Sequence, residues 1–328
     1  MPKASPSGES QSLSVSDSSS SPSARYQNDK GIEMKKLKGI MPPIATPFIN
    51  DEIAFDKLAG NFSRWNKTGL SGYVVMGSNG ESVFLQRDEK LKLVEAVKKN
   101  ISEDKLLIAG TGSDSIKETI SLTNEAADRG ADYALILTPS FYKSEMKPAA
   151  YIKYYTAVAD KTKIPVIIYN VPKFTGVDIE AETVAKLAEH KNIVGIKNSS
   201  ENIRQTMEMI DQTPEEFATI IGTASVFYSG LSAGAVGGIL ALANIAPDEC
   251  VQIQKLVEQE NHKEALKLQK KMLPVNKAIT AKYGVAGLKA AMDMLGYFGG
   301  EPRAPLSVLN DDDKKLLKQI LVSSGLLK

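Results

Sequence analysis

The chain has 328 residues, of which 42% are apolar and 24% charged, and its formal net charge is +1 at pH 7. This balance is typical of a globular protein with a sizeable core, and it excludes the strongly basic surface that a nucleic acid or an anionic membrane would select. A single cysteine excludes an internal disulfide and fits a reducing compartment, and no apolar run is long enough to span a membrane, so we expect a cytoplasmic protein.

Residues 1–33 form a serine-rich segment with hardly any apolar side chains. Such a segment buries too little surface to offset the entropy of ordering it, and we therefore predict a disordered tail. A transit peptide is disfavoured, because those segments are rich in arginine and poor in acidic residues, whereas this one contains Glu9 and Asp17.

Residues 34–245 alternate between short runs rich in Val, Ile and Leu and amphipathic helical patterns. The eight runs are residues 39–48, 72–78, 106–112, 133–139, 165–171, 193–199, 217–224 and 237–244. Eight β-then-α units at this spacing predict a (β/α)8 TIM barrel of the α/β class. Neither a GxGxxG fingerprint after a strand nor a Walker loop occurs, which disfavours nucleotide binding.

Residues 246–328 have helical patterns throughout, and we predict that they form a C-terminal helical extension packed on the barrel. The chain has only two histidines, His190 and His262, both in polar helical stretches. A zinc site usually needs several converging ligands, so we predict no metal site, and the same shortage disfavours a Ser-His-Asp device.

Polar residues at the ends of the predicted strands are the candidates for chemistry, because barrel active sites lie at the carboxyl ends of the strands. Lys197 is the outlier, since it follows the apolar run Ile193–Ile196. Burial disfavours the charged ammonium form, and a neutral amine is what a Schiff base with a ketone requires. The alternative is a lysine whose ammonium group reaches solvent from the strand end.

Other strand ends supply polar partners for this amine. Tyr169 ends the neighbouring strand and could transfer protons between the intermediates, although a tyrosine hydrogen-bonded in the core is an equally open interpretation. Ser78 and Asn79 lie in a glycine-bounded loop whose backbone N–H groups suit a carboxylate, although Gly-Ser-Asn-Gly is also ordinary turn chemistry. Thr46, at the end of the first strand, and Tyr142, after the fourth, are further candidates for substrate binding.

Residues 34–328 resemble the dihydrodipicolinate synthase/N-acetylneuraminate lyase family of class I, pyruvate-handling barrels. The motifs are a GxxGE loop at 77–81, YNVPxxTG at 169–176 and GIK ending at Lys197. The resemblance implies Lys197 as the Schiff-base lysine, Tyr169 as the proton-transfer residue, and Ser78 and Asn79 as ligands of the pyruvate carboxylate. It also implies that Gly222 and the backbone of Ile239 line the site, that no cofactor is needed, and that the assembly is a homotetramer built from dimers.

The chain departs in three places, one of them a pair of residues, from the synthase pattern that the resemblance implies. Phe174 stands where the synthases carry an arginine for the second substrate's carboxylate. Phe141 stands where they carry a tyrosine, although Tyr142 is the next residue. Ser78 and Asn79 stand where they carry two threonines. The chain is closest in its motifs to 4-hydroxy-2-oxoglutarate aldolase and 2-oxo-3-deoxy sugar-acid aldolases, which implies Ser199 as a contact of the second substrate.

Three functions follow as hypotheses. The first is a lyase that cleaves a 4-hydroxy-2-oxo acid to pyruvate and an aldehyde. The second is dihydrodipicolinate synthase, which condenses pyruvate with aspartate semialdehyde. The third is a barrel that binds 2-oxo acids without catalysis, which the joint presence of Lys197 and Tyr169 disfavours. Neither nucleic acid nor a membrane is an expected partner.

Overall fold

The computed structural model describes residues 25–27 and 33–328. Strands β1 (Arg25–Gln27) and β2 (Glu33–Lys35) pair antiparallel and lie outside the compact unit Leu37–Lys328. This pairing was not indicated by the composition of the predicted tail. The rest of the predicted disordered segment lies outside the described residues.

Ten strands belong to the compact unit. In chain order they are β3 (Gly39–Met41), β4 (Phe48–Ile49), β5 (Glu52–Ile53), β6 (Gly72–Val75), β7 (Leu106–Gly110), β8 (Tyr133–Leu137), β9 (Val166–Asn170), β10 (Ile193–Asn198), β11 (Ala218–Ile221) and β12 (Gly237–Ile239). All except β4 and β5 form one sheet in the order β3-β12-β11-β10-β9-β8-β7-β6.

The sheet is parallel throughout and closes on itself. Its two end strands meet where the chain after β3 bridges β6, through a parallel bridge between Pro43 and Val74 and a 2.9 Å bond from Ile44 N–H to Val74 O. Each predicted apolar run contains one of the eight strands, and the (β/α)8 TIM barrel is confirmed. The strands are buried on both faces, as a sheet covered by helices requires.

Helices cover the outside of the barrel. They are α1 (Phe55–Trp65), α2 (Arg87–Asn100), α3 (Ile116–Asp128), α4 (Pro148–Ala159), α5 (Pro172–Thr175), α6 (Ala181–Ala188), α7 (Ile203–Gln212), α8 (Phe227–Ser232) and α9 (Pro247–Glu258). Local sequence sets their starts: Ser115 and Asn202 accept hydrogen bonds from backbone N–H groups of the first turns of α3 and α7, and prolines begin α4 and α9.

The C-terminal helices are α10 (His262–Lys277), a π-helical turn at Ala278–Lys282, α11 (Gly284–Met294) and α12 (Asp311–Ser323). The predicted extension began at residue 246, but helix α9 follows the last strand and packs against β3. We therefore assign α9 to the eighth β/α unit of the barrel. Within the described ranges, no helix combines the length and apolar character needed to cross a membrane.

A small hairpin links the barrel to the C-terminal segment. Its strands, β4 and β5, are joined by Asn50 and Asp51, both in the left-handed conformation that a two-residue hairpin turn requires. Phe48 of β4 also bridges Glu301 in the loop between α11 and α12. This bridge places the C-terminal loop beside the chain that leaves the first barrel strand.

Candidate active site

Lys197 lies on β10, in register with Tyr169 on β9 and Ile220 on β11. Its side chain is only 2% exposed, and Nζ lies 3.9 Å from the centre of the Tyr169 ring. The interpretation of Lys197 as a lysine reaching solvent is therefore wrong. Lys197 is instead a buried amine against an aromatic face, at the carboxyl end of a barrel strand, which is the end where barrel active sites lie.

The strand pattern explains why Lys197 faces the barrel interior. The next residue, Asn198, points the other way: its Nδ2 donates to Thr206 Oγ1 of helix α7 at 3.2 Å, and its Oδ1 accepts a bond from Asn170 Nδ2 at 3.0 Å. Because successive side chains of a strand alternate between faces, Lys197 and its register partner Tyr169 share the inner face. The amide pair Asn170–Asn198 thus fixes the register behind the reactive pair.

Ser78 is the second polar neighbour of Tyr169. The two hydroxyl oxygens lie 3.4 Å apart, which is longer than the roughly 2.7 Å of a good hydroxyl–hydroxyl bond. Lys197, Tyr169 and Ser78 therefore form a continuous row from the amine through the phenol to the loop after β6.

Residues 77–81, here called the GSNGE turn, form a 3₁₀ turn with a fixed shape. Gly80 N–H donates to Gly77 O at 3.0 Å and Glu81 N–H to Ser78 O at 3.2 Å. The N–H groups of Ser78 and Asn79 take no part in these two bonds. Thr46 is fully buried, and its hydroxyl donates a hydrogen bond to Gly80 O at 2.8 Å. This bond attaches the turn to the chain that follows β3.

Gly222 and Ser199 lie together at the ends of β11 and β10. Gly222 N–H donates to Asn198 O at 2.7 Å, and a Cβ at Gly222 would lie only 2.0 Å from Ser199 Oγ. The Ser199 hydroxyl oxygen is buried and has no hydrogen-bond partner among the described residues. Ile239, on β12, is fully buried and pairs with Met41 of β3.

Tyr142, in the loop after β8, and Phe174, in the short helix α5 after β9, lie at the same end of the barrel. Tyr142 is mostly exposed and packs edge-on against Phe141, whose ring is also exposed. Phe174 is 64% exposed. A substrate role for Tyr142 stays a prediction.

The GSNGE turn has partners that the sequence analysis missed. Glu81, quoted only as part of a motif, forms a buried ion pair with Lys289 of α11 at 2.5 Å and accepts a bond from the backbone N–H of Arg303 at 2.7 Å. The available signal was a lysine inside the apolar pattern GVAGLKAAMDM. The Asn170–Asn198 pair was also missed, although an asparagine directly follows each residue of the reactive pair.

The ionisable groups near the site include no metal cluster: among the described residues, no three His, Cys, Asp or Glu side chains converge as a metal site requires. Burial is the main influence on Lys289 and lowers its pKa, and the Glu81 carboxylate opposes that shift. The Lys197 amine, the Tyr169 phenol and the GSNGE turn together suit carbonyl chemistry through an imine.

Comparison with known proteins assigns this arrangement to a class and a family. The model of the Dihydrodipicolinate synthetase family matches residues 36–324. A 4-hydroxy-tetrahydrodipicolinate synthase of Thermodesulfovibrio yellowstonii is 37% identical over 296 residues, covering 89% of this chain and all of that protein. The corresponding protein of Pelagibacter ubique is 35% identical, again covering 89% and 100%.

Solved structures agree with the family match. Dihydrodipicolinate synthase of Thermotoga maritima superposes with a TM-score of 0.85 at 28% identity, over 88% of this chain and 99% of that one. YagE of Escherichia coli, a family member in complex with pyruvate, gives 0.84 at 27% identity over the same shares. The protein is a carbon–carbon bond enzyme of the pyruvate-dependent, class I aldolase type. It belongs to the dihydrodipicolinate synthetase family.

The family assignment confirms the resemblance to the dihydrodipicolinate synthase/N-acetylneuraminate lyase family. It does not confirm the likeness to one member of that family, the aldolase. The relatives named above are synthases, and they favour the second functional hypothesis over the first. The special likeness to 4-hydroxy-2-oxoglutarate aldolase stays a prediction.

Proposed function

We propose that this enzyme forms a Schiff base between Lys197 and pyruvate and makes or breaks a carbon–carbon bond at the pyruvate methyl carbon. The observation that carries the proposal is the buried Lys197 amine, 3.9 Å from the centre of the Tyr169 ring, at the end of a barrel strand. The family match and the pyruvate complex of YagE support the choice of keto acid.

The chemistry follows from the three side chains in the row. The Lys197 amine attacks the pyruvate carbonyl carbon, and the carbinolamine loses water to give an iminium. Loss of a methyl proton then gives an enamine that can attack an aldehyde; the reverse sequence cleaves the same bond. In this proposal Tyr169, whose hydroxyl lies 3.4 Å from that of Ser78, moves these protons. Ser78 and Asn79, with their backbone N–H groups, hold the carboxylate.

For the second substrate, the first candidate is aspartate semialdehyde, as the names of the curated relatives suggest. Its carboxylate needs a cation, and two lysines lie beside the short helix that carries Phe174. Lys173 Nζ lies 5.7 Å from the centre of the Phe174 ring, and Lys143 Nζ would lie 2.7 Å from a Cβ at Gly176, at the end of the same short helix. Either ammonium group could serve that carboxylate as a point charge.

The second candidate is cleavage of a 4-hydroxy-2-oxo acid to pyruvate and an aldehyde. The observation favouring it is Phe174, which offers an exposed ring where the resemblance implies a bidentate arginine. An aromatic ring cannot donate a charged hydrogen bond to a carboxylate, so this position lacks the carboxylate ligand that the resemblance implies for a synthase.

Replacing Phe174 with arginine tests the two candidates. We expect Phe174→Arg to raise kcat/KM for aspartate semialdehyde by about threefold, because an exposed charge pair contributes roughly 0.5–1 kcal/mol. The assay follows condensation with pyruvate, beside pyruvate release from a panel of 4-hydroxy-2-oxo acids. Phe174→Gln, polar but uncharged, is the control. Efficient condensation by the unmodified enzyme, unchanged in Phe174→Arg, would show that Lys143 or Lys173 already binds the carboxylate and would establish the synthase.

The Schiff base itself is tested by trapping. With pyruvate and borohydride, we expect one irreversible adduct, located on Lys197 by peptide mass spectrometry, because reduction turns an imine into a stable amine. Lys289, which is also buried, serves as the internal control in the same experiment and should carry no adduct. A folded enzyme whose Lys197 stays unmodified in saturating pyruvate would overturn the proposed function, including both candidate reactions.

We also propose that the enzyme is a cytoplasmic homotetramer built from dimers. Support comes from the resemblance and from the exposed, edge-packed rings of Phe141 and Tyr142, since adjoining exposed aromatic rings commonly mark an interface. The mass in solution, measured by light scattering, tests this assembly; a monomer at micromolar concentration would contradict it.

A further inference from the structure

A charged network buried between the barrel and the C-terminal segment lies directly behind the GSNGE turn. Its centre is the ion pair between Glu81 and Lys289, whose side chains are both 1% exposed and whose charged atoms lie 2.5 Å apart. Lys289 Nζ also donates to Glu301 O at 2.8 Å, and Glu81 Oε2 accepts from Arg303 N–H at 2.7 Å. One carboxylate of the barrel therefore holds two points of the C-terminal chain.

Arg303 extends this network to the outer side of the turn. Its guanidinium makes two bonds to the Glu89 carboxylate, of 2.7 and 2.9 Å, and one to Asp51 at 2.8 Å. It also donates to Phe84 O at 2.9 Å, three residues beyond the turn. Phe48 lies between the two cations, with Lys289 Nζ 4.4 Å and the Arg303 guanidinium carbon 4.3 Å from its ring centre.

The backbone of Glu81 shows why the turn needs such an anchor. Glu81 has φ = 57°, in the left-handed region that residues other than glycine seldom adopt, and it lies directly after Gly80. The N–H of the same residue closes the turn by donating to Ser78 O. A strained residue persists only where its surroundings fix it, and here the fixing contacts are the ion pair and the Arg303 N–H.

We infer that Glu81 is a positioning residue: with Lys289 and Arg303 it holds the GSNGE turn in the shape that binds the carboxylate of the keto acid. This inference rests on the proposed function, because it assigns Ser78 and Asn79 to that carboxylate. Through this network the C-terminal segment, although outside the barrel, sets the affinity for pyruvate. The network acts on substrate binding, while the row of Lys197 and Tyr169 carries the chemistry.

The test removes the two central charges together. Glu81→Gln alone leaves a buried ammonium group without its carboxylate, whereas Glu81→Gln/Lys289→Met leaves no unpaired charge. For the double variant we expect the KM for pyruvate to rise about tenfold with kcat changed by less than about threefold, the pattern of lost uniform binding. The pyruvate concentration that half-saturates borohydride trapping at Lys197 should rise by the same factor. Melting temperature is measured on every variant.

Two further variants complete the design. Lys163→Met/Asp128→Asn removes an exposed ion pair on the barrel surface, 2.6 Å long, and should leave the KM unchanged. Glu89→Gln keeps a capping side chain at the start of α2 and removes one of the negative charges that face Arg303. We expect it to raise the KM for pyruvate by about twofold to threefold, and this result does not depend on whether the double variant folds.

A folded double variant with an unchanged KM would overturn the inference, as would a fall of kcat alone. If the double variant does not fold, an unchanged KM in Glu89→Gln overturns it instead. Failure of the proposed function is distinguishable, because it appears as the absence of a Lys197 adduct in the unmodified enzyme.

Discussion

Replacing Lys197 with alanine should lower turnover by at least about 10³-fold, because in the proposed mechanism the imine forms on this amine. The fold should persist. Truncation removes methylene contacts but also removes a buried amine that has no ion pair among the described residues, so the two effects on the free energy of unfolding oppose each other. We expect a melting temperature within a few degrees of that of the unmodified enzyme.

Steady-state turnover, borohydride trapping and thermal melting together check this expectation. Lys163→Ala is the matched control, since Lys163 is a half-exposed lysine paired with Asp128 on the outside of the barrel. The control should keep both turnover and the Lys197 adduct. Retention of more than about a tenth of normal turnover in folded Lys197→Ala would exclude an obligatory imine at this position.

Replacing Tyr169 with phenylalanine should lower kcat by about 10²- to 10⁴-fold, the usual contribution of a positioned proton donor or acceptor. The aromatic face against Lys197 remains, and only the hydroxyl that lies 3.4 Å from Ser78 is lost. Since that separation is long, its loss should change the melting temperature little. Trapped adduct should still form at Lys197, but more slowly, because imine formation also needs proton transfer.

Tyr228→Phe is the control for Tyr169→Phe, because the Tyr228 hydroxyl lies 3.5 Å from His262 Nδ1 at the start of helix α10, away from Lys197. Single-turnover trapping and steady-state rates separate slow imine formation from slow carbon–carbon chemistry. If Tyr169→Phe kept kcat within about threefold of normal, another group or a water would be moving the protons, and Tyr169 would serve only to pack against Lys197.

The barrel could be predicted from the sequence because its signals are local. Each strand is a short apolar run, and each run is followed by a helical pattern, so neighbouring residues suffice to recognise the eight units. Lys197 could also be found locally, since a lone lysine directly after Ile193–Ile196 contradicts its surroundings. The position of Tyr169 near Lys197 could be predicted because the carboxyl ends of parallel strands lie together.

The supports of the site could not be predicted in this way, because they join distant parts of the chain. Arg303 and Glu81 are 222 residues apart, and no periodicity relates them. The bond from Thr46 to Gly80 depends on how the barrel closes, and Thr46 was therefore assigned to the substrate rather than to the turn. The exposure of Tyr142 depends on the path of a loop, which apolar patterning does not fix.

The asparagine pair behind the reactive residues has a consequence for how this sequence can change. In each of two adjacent strands, an inward residue that we propose for chemistry is followed at once by an outward amide. A point substitution of the inward residue can remove catalysis and leave the asparagine bond intact, so the barrel can stay folded after its activity is lost. An inserted or deleted residue in β10 would exchange the two faces, exposing Asn198 to the interior and Lys197 to the helices.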